Sequence, residues 1–190
     1  MELSLWEGQA LVWIQEVVRC ALLDPLVCLY TRLGNAGLLW IAACVLLLLF
    51  PSTRRAGLAG GAALVCSLLL TNMLIKPLVE RTRPWLVIRE LVPLVTERDP
   101  HSFPSGHTSA AFAAAVAWAH TLPRRWMKVT GLVLAALMGL SRLYVGVHFP
   151  SDVLCGMLAG ILCGTIGALV VQRLAVRLNW PEDWRRDALS

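Results

Sequence analysis

Four long stretches of the chain, 37–50, 57–75, 129–140 and 153–171, carry no charged side chain. A bilayer's hydrocarbon core is crossed by roughly 20 apolar residues in helix. The pattern predicts six such segments, about 4–30, 35–51, 56–78, 106–122, 127–146 and 151–172. The first is interrupted by Glu7, Glu16, Arg19 and Asp24. An interfacial amphipathic helix followed by a short insertion is the alternative there. The expected fold class is all-α, a polytopic integral membrane protein with six transmembrane helices in one bundle. Gly156, Gly160 and Gly164 repeat at a spacing of four. That puts them on one helix face, where small residues let backbones approach within lipid.

Composition agrees with this class. Hydrophobic residues make up 57% of the 190 and charged residues 15%, whereas a soluble domain is about a quarter charged. Disorder and a disulfide-stapled scaffold are excluded. The length suits a single domain over 1–190. The six cysteines (20, 28, 44, 66, 155 and 163) lie in apolar segments with no CxxC pair, so they read as small hydrophobes and not as metal ligands. The net charge of +5 belongs to topology and not to nucleic acid. Arg54 and Arg55, then Arg124, Arg125 and Lys128, then Arg173, Arg177, Arg185 and Arg186 fall in connections that alternate to one side. The positive-inside rule makes that side cytoplasmic. Six spans then place both termini in the cytoplasm and turn the long connection, about 85–104, outward. Trp6, Trp40, Trp85, Trp126 and Trp180 sit near expected span ends, as interfacial aromatics do. The N-terminus has no basic region before its apolar stretch, unlike a cleaved signal peptide.

Ionisable groups at membrane depth are costly and mark function. Here they gather in K-P-L-V-E-R-T-R-P (76–84), P-S-G-H (104–107) and S-R-L-Y-V-G-V-H-F-P-S-D (141–152). All three are expected at outward helix ends, where they can converge. Lys76 and Arg83 are two helical turns apart, hence on one face, although Pro77 perturbs that geometry and Pro84 ends the helix. With Arg142 they make a clamp suited to a phosphate dianion. Ser105 and Gly106 offer backbone N–H groups at a helix N-terminus, and Gly106 permits close approach. Asp152, four residues after His148, is placed to accept a hydrogen bond from one ring nitrogen and leave the other free as a nucleophile. His107 is placed as general acid. Nucleophile, orienting carboxylate, proton donor and anion clamp together point to phosphoryl transfer through a phosphohistidine.

The same residues resemble the three-part signature of the type-2 phosphatidic acid phosphatase family, which includes vanadium haloperoxidases and bacterial acid phosphatases. K-x6-R-P is met by Lys76, Arg83 and Pro84; P-S-G-H by Pro104, Ser105, Gly106 and His107; S-R-x5-H-x3-D by Ser141, Arg142, His148 and Asp152. The resemblance implies that His148 is the nucleophile, Asp152 its partner, and His107 the acid and then the base for water. Lys76, Arg83, Ser105, Gly106 and Arg142 would bind phosphate. It implies no metal and no cofactor, vanadate inhibition, and a catalytic core over about 56–172. The expected function is an outward-facing lipid phosphatase of the cell membrane, metal-independent, acting on a lipid phosphomonoester or diphosphate. Undecaprenyl diphosphate is the favoured substrate, with phosphatidic acid and phosphatidylglycerol phosphate as alternatives. A vanadium haloperoxidase and a non-catalytic lipid transporter are the other classes. Outside the signature, His101 reads as a solvated loop residue and His120 as interfacial. Glu80 and Arg81 pair with each other or line the entrance.

Overall fold

The apolar runs fold as helices in the computed structural model, which describes residues 2–180; Arg185 and Arg186 lie outside them. In chain order, α1 (Glu2–Trp13) continues into a π-helical turn (Ile14–Val18), and α2 (Leu23–Leu33) follows. A 3-10 turn (Asn35–Gly37) leads into α3 (Leu38–Leu49). Next come α4 (Arg54–Ser67), a π-helical stretch (Leu68–Ile75) and α5 (Lys76–Val79), stacked end to end. A one-turn α6 (Pro84–Val87) precedes the long helices α7 (Gly106–Thr121), α8 (Arg125–Tyr144) and α9 (Pro150–Arg177). Among the described residues there is no strand, only an isolated antiparallel bridge between Thr82 and His101.

Helix α7 is the axis of the bundle and packs against α4, α8 and α9. Its Ala111, Ala113, Ala114, Ala115 and Ala117 are fully buried. Small side chains are what such a position demands, because helices in lipid associate by close packing. The seam with α9 is the tightest. A Cβ on Gly156, Gly160 or Gly164 would lie 2.6, 2.6 or 2.7 Å from the carbonyl oxygens of Ser105, Ser109 and Ala113. The expected packing face is therefore real and runs in register along both helices. Trp40 is not interfacial; it is buried against Trp118, with ring centroids 5.9 Å apart.

Three uninterrupted helical stretches are long and apolar enough to cross a membrane: Arg54–Val79, Arg125–Tyr144 and Pro150–Arg177. The pair Leu23–Leu33 and Asn35–Leu49, bent by 55°, makes a fourth if counted as one span. The count of six is not reproduced. Helix α7 has 16 residues, about 24 Å of helix, and the first expected segment is broken. Gln15 donates to Glu90 O, Arg19 to Tyr144 O and Val92 O, and Tyr144 donates to Asp24. These contacts lie at the end of the bundle where α8 finishes and α9 begins. Helix α1 thus lies across that end instead of running its length. The charges that interrupt the segment are the physical reason, since Glu7, Arg19 and Asp24 find partners there, Glu16 is exposed, and none would be satisfied in hydrocarbon. The outward faces of the helices carry exposed Leu, Ile and Val, as lipid contact requires.

Candidate active site

The first motif leaves the helix early. Helix α5 stops at Val79, and Glu80 adopts a left-handed conformation at φ +48°. Residues 81–83 then run extended, pinned to the returning loop: Arg83 N donates to Pro100 O and Ser102 N to Arg81 O. Lys76 and Arg83 therefore meet by chain reversal and not by sharing a helix face. Pro84 starts α6 instead of ending a helix. In extended backbone, residues two apart point the same way, so Arg81 and Arg83 both face the third motif.

The second motif starts α7. Ser105 is its N-cap, with Oγ 2.9 Å from Thr108 Oγ1, and its backbone N donates to Asp152 O. The Ser105 hydroxyl is thus engaged in capping, which leaves Gly106 and His107 on the cavity wall. A Cβ on Gly106 would lie 2.7 Å from Asn72 Oδ1, so a larger residue here would push the Asn72 amide aside. His107 Nε2 is 2.9 Å from Asn35 Oδ1. The third motif bridges α8 and α9. Gly146, at φ +76°, turns the chain, and Asp152 accepts from Phe149 N at 2.8 Å at the start of α9.

Lys76, Arg83, His107 and His148 line one cavity of about 840 Å³, together with Asn72, Glu97 and Asp99. His148 is 1% exposed. Its Nε2 lies 3.4 Å from Arg83 Nη1, and its Nδ1 lies 3.6 Å from Asp152 Oδ2. That separation exceeds a hydrogen bond, and Nδ1 is buried without a partner. Burial, then the cations of Arg142, Arg83 and Lys76, hold the His148 imidazole well below the ordinary histidine range. Arg142 is fully buried and lies behind this cavity, on a smaller one lined by Thr31, Asn35 and Glu97. Its guanidinium donates to Thr31 Oγ1 at 2.5 Å and to Glu97.

Two acidic residues counted only as loop charge in the sequence hold this clamp. Asp99 Oδ2 accepts from Lys76 Nζ at 2.8 Å, and Asp99 O accepts from Arg83 Nε at 2.6 Å. Glu97 contacts Arg83 at 3.9 Å and pairs with Arg142. Burial opposes ionisation of Asp99, but the Lys76 hydrogen bond and the charges of Lys76 and Arg83 outweigh it and keep its pKa below the usual carboxylate value. Arg81 does not pair with Glu80. It donates to Asp152 and to Glu7 of α1, both at 2.7 Å. His101 forms a backbone bridge to Thr82, and its side chain stays partly exposed beside Asp99. All six cysteines are free thiols. Among the described residues no three His, Cys, Asp or Glu side chains group as metal ligands.

The cavity does not stop at the polar groups. It continues between α3 and α4 along Ile41, Val45, Leu48, Leu64 and Leu68, so one space joins a cationic, histidine-bearing end to an apolar groove. Fold and pocket together define a class: helical membrane proteins with a histidine-bearing polar pocket at one end of the bundle. Within that class the chain belongs to the PAP2 superfamily, whose pattern matches residues 56–175. It is 35% identical over 121 residues to an undecaprenyl-diphosphatase of Sulfolobus acidocaldarius, covering 64% of this chain. The alignment spans 58% of that curated relative's length, a little over half. Two crystal structures are similar. Aquifex aeolicus LpxE superposes with a TM-score of 0.72 at 30% identity, covering 83% of this chain and 92% of that one. A transmembrane PAP2-type phosphatidylglycerolphosphate phosphatase from Bacillus subtilis gives 0.71 at 28%, covering 88% and 85%.

Proposed function

We propose that the protein is a lipid phosphatase that forms a phosphohistidine on His148. The observation that carries this reading is the single cavity joining the Lys76, Arg83, His107 and His148 end to the apolar groove of α3 and α4. A lipid phosphate has the same two-part character. Its phosphate meets the cations, displacing Glu97 and Asp99, while its tail stays among leucines and valines. Nε2 of His148 attacks phosphorus; the P–N bond forms as the P–O bond to the leaving group breaks. His107, hydrogen-bonded to Asn35, supplies the proton to the leaving oxygen and then takes one from the water that cleaves P–N. The Gly106 and His107 backbone N–H groups, at the start of α7, face the developing charge. Asp152 closes on Nδ1–H when the imidazole becomes cationic; its 3.6 Å separation is of the kind that tightens in the reacting complex.

The favoured substrate is undecaprenyl diphosphate. The Sulfolobus relative supports it, while the Bacillus structure supports phosphatidylglycerol phosphate as the competing headgroup. In the orientation we favour, the site faces outward and the Arg54, Arg124 and Arg173 connections lie in the cytoplasm. Helix α1 then lies on the outward side and the end of α9 in the cytoplasm, a departure from the expectation of two cytoplasmic termini. Phosphate release from purified protein in chelator, with and without vanadate, tests the reaction. Relative kcat/KM from a competition among undecaprenyl diphosphate, phosphatidylglycerol phosphate and phosphatidic acid in one detergent tests the substrate. Turnover that requires an added divalent metal contradicts the mechanism.

A further inference from the structure

The N-terminal helix carries no signature residue, yet it places a carboxylate beside the site. Glu7 is 1% exposed, and an ionised side chain is almost never that buried unless it is paired. Its Oε2 accepts from Arg81 Nη2 at 2.7 Å, and its Oε1 accepts from the backbone N of Ser151 at 2.7 Å. The other arm of Arg81, Nη1, donates to Asp152 Oδ1 at 2.7 Å and to Ser151 Oγ at 2.6 Å. The guanidinium lies 4.0 Å over the centre of the Phe149 ring.

These contacts, with the Ser102 hydroxyl, fix the Asp152 carboxylate. Oδ1 is held by Arg81, and Oδ2 accepts from Phe149 N while facing His148 Nδ1. Release Oδ1, and the carboxylate keeps Phe149 N and the Ser102 hydroxyl as anchors, stays beside the imidazole and loses its fixed orientation toward it. We infer that Arg81 is a positioning residue that holds Asp152 against His148, and that Glu7 of α1 holds Arg81, which makes the N-terminal helix a working part of the site. This rests on the reading of His148 as nucleophile. Arginine is required because its planar fork reaches two carboxylates at once, which a lysine point charge does not reproduce.

The arrangement also sets charge. The groups facing His148 are Arg83 at 3.4 Å, Lys76 on α5, His107 on α7, Arg142 on α8 and Asp152 on α9. Those facing Asp152 are Arg81, Glu7 through Arg81, Arg83 and Cys155. Arg81 shields the Asp152 charge from His148, and Glu7 weakens that shielding. The two substitutions Arg81→Gln and Glu7→Gln therefore move the proton affinity of the His148–Asp152 pair in opposite directions, which loss of a mere strut does not do.

The test is the pH dependence of kcat/KM for Arg81→Gln, Arg81→Lys and Glu7→Gln. Arg81→Gln is expected to lose about 10–100-fold in kcat, on the scale seen when the outer partner that orients a metal-ligating histidine is removed. Its acid limb should move up by about one pH unit, and that of Glu7→Gln should move down. Arg81→Lys is expected to restore the limb while kcat stays low. Limbs that stay put or move the same way, or Arg81→Gln with wild-type kcat, overturn the inference. The histidine titration read by NMR on 15N-labelled protein gives the same two shifts without turnover. A wild type inert on every lipid phosphate thus overturns the proposed function, and the NMR midpoints still decide on Arg81. If Arg81→Gln does not accumulate, the downward shift in the isosteric Glu7→Gln decides alone.

Discussion

Gly156→Ala probes how closely the bundle's packing is tied to its chemistry. The added methyl would sit 2.6 Å from Ser105 O, whereas ordinary contact begins at 3.4 Å, so about 0.8 Å must be found. Neither partner is a flexible side chain, so α9 and the start of α7 have to part. Overpacking of this kind costs about 1–3 kcal/mol. Gly164→Ala makes the same demand, with its methyl 2.7 Å from Ala113 O, and should destabilise by a similar amount. The two differ in what moves. At Gly156 the yielding atoms belong to Ser105, whose neighbours Gly106 and His107 line the cavity and whose N–H takes Asp152 O. A misplacement of about 1 Å costs on the order of 100-fold in rate. At Gly164, two turns further along, about 12 Å away, the strain falls among alanines and Val116. Thermal melts and kcat/KM per folded protein should therefore show equal destabilisation but a selective rate loss for Gly156→Ala. Equal rate losses in both variants, or wild-type turnover in Gly156→Ala, refute the claim that this seam positions the phosphate cradle.

His107→Ala should slow monophosphate esters far more than diphosphates, because a lipid alkoxide needs a proton to leave and a lipid phosphate does not; paired kcat values on the two substrate types check this. Glu97→Gln removes a carboxylate that competes with substrate for Arg83, so inhibition by inorganic phosphate should tighten about fivefold, the worth of about 1 kcal/mol. His148 is held below its ordinary value, so the acid limb of wild-type kcat/KM should lie below pH ~6.5. The same depression makes the unfolded chain the better proton acceptor. This contribution to stability is complete above about 6.5 and falls as pH drops from there through the folded midpoint; melting temperature against pH for wild type and His148→Gln reads it.

The three motif segments were legible because their residue types are costly in a membrane, and they do meet at one end of the bundle. What misled was local conformation. Reading 76–83 as continuous helix puts Arg83 on the face of Lys76 and leaves Arg81 on another. The left-handed Glu80 and the pairing of 81–83 with 100–102 turn both arginines toward His148 and Asp152. No periodicity signals that switch, since the loop that causes it is sixteen or more residues away. Glu97 and Asp99 looked like ordinary loop charge for the same reason, as only folding brings them onto Lys76, Arg83 and Arg142. The charges in 4–30 were the right warning that this segment is no simple span. The long-range partners of Glu7, Arg19 and Asp24, namely Ser151, Arg81, Val92 and Tyr144, lie 73 or more residues away in sequence.

The central claim is covalent chemistry at His148, and the most direct measurement is to trap it. His107→Ala protein, slowed in the step that cleaves P–N, is mixed with a lipid diphosphate labelled in its terminal phosphate, quenched in alkali and mapped by mass spectrometry. The account predicts an acid-labile phosphate on the peptide bearing His148, absent from a His107→Ala, His148→Ala double variant and diminished by vanadate. Label on any other residue, or turnover of labelled substrate with His148 replaced, contradicts it.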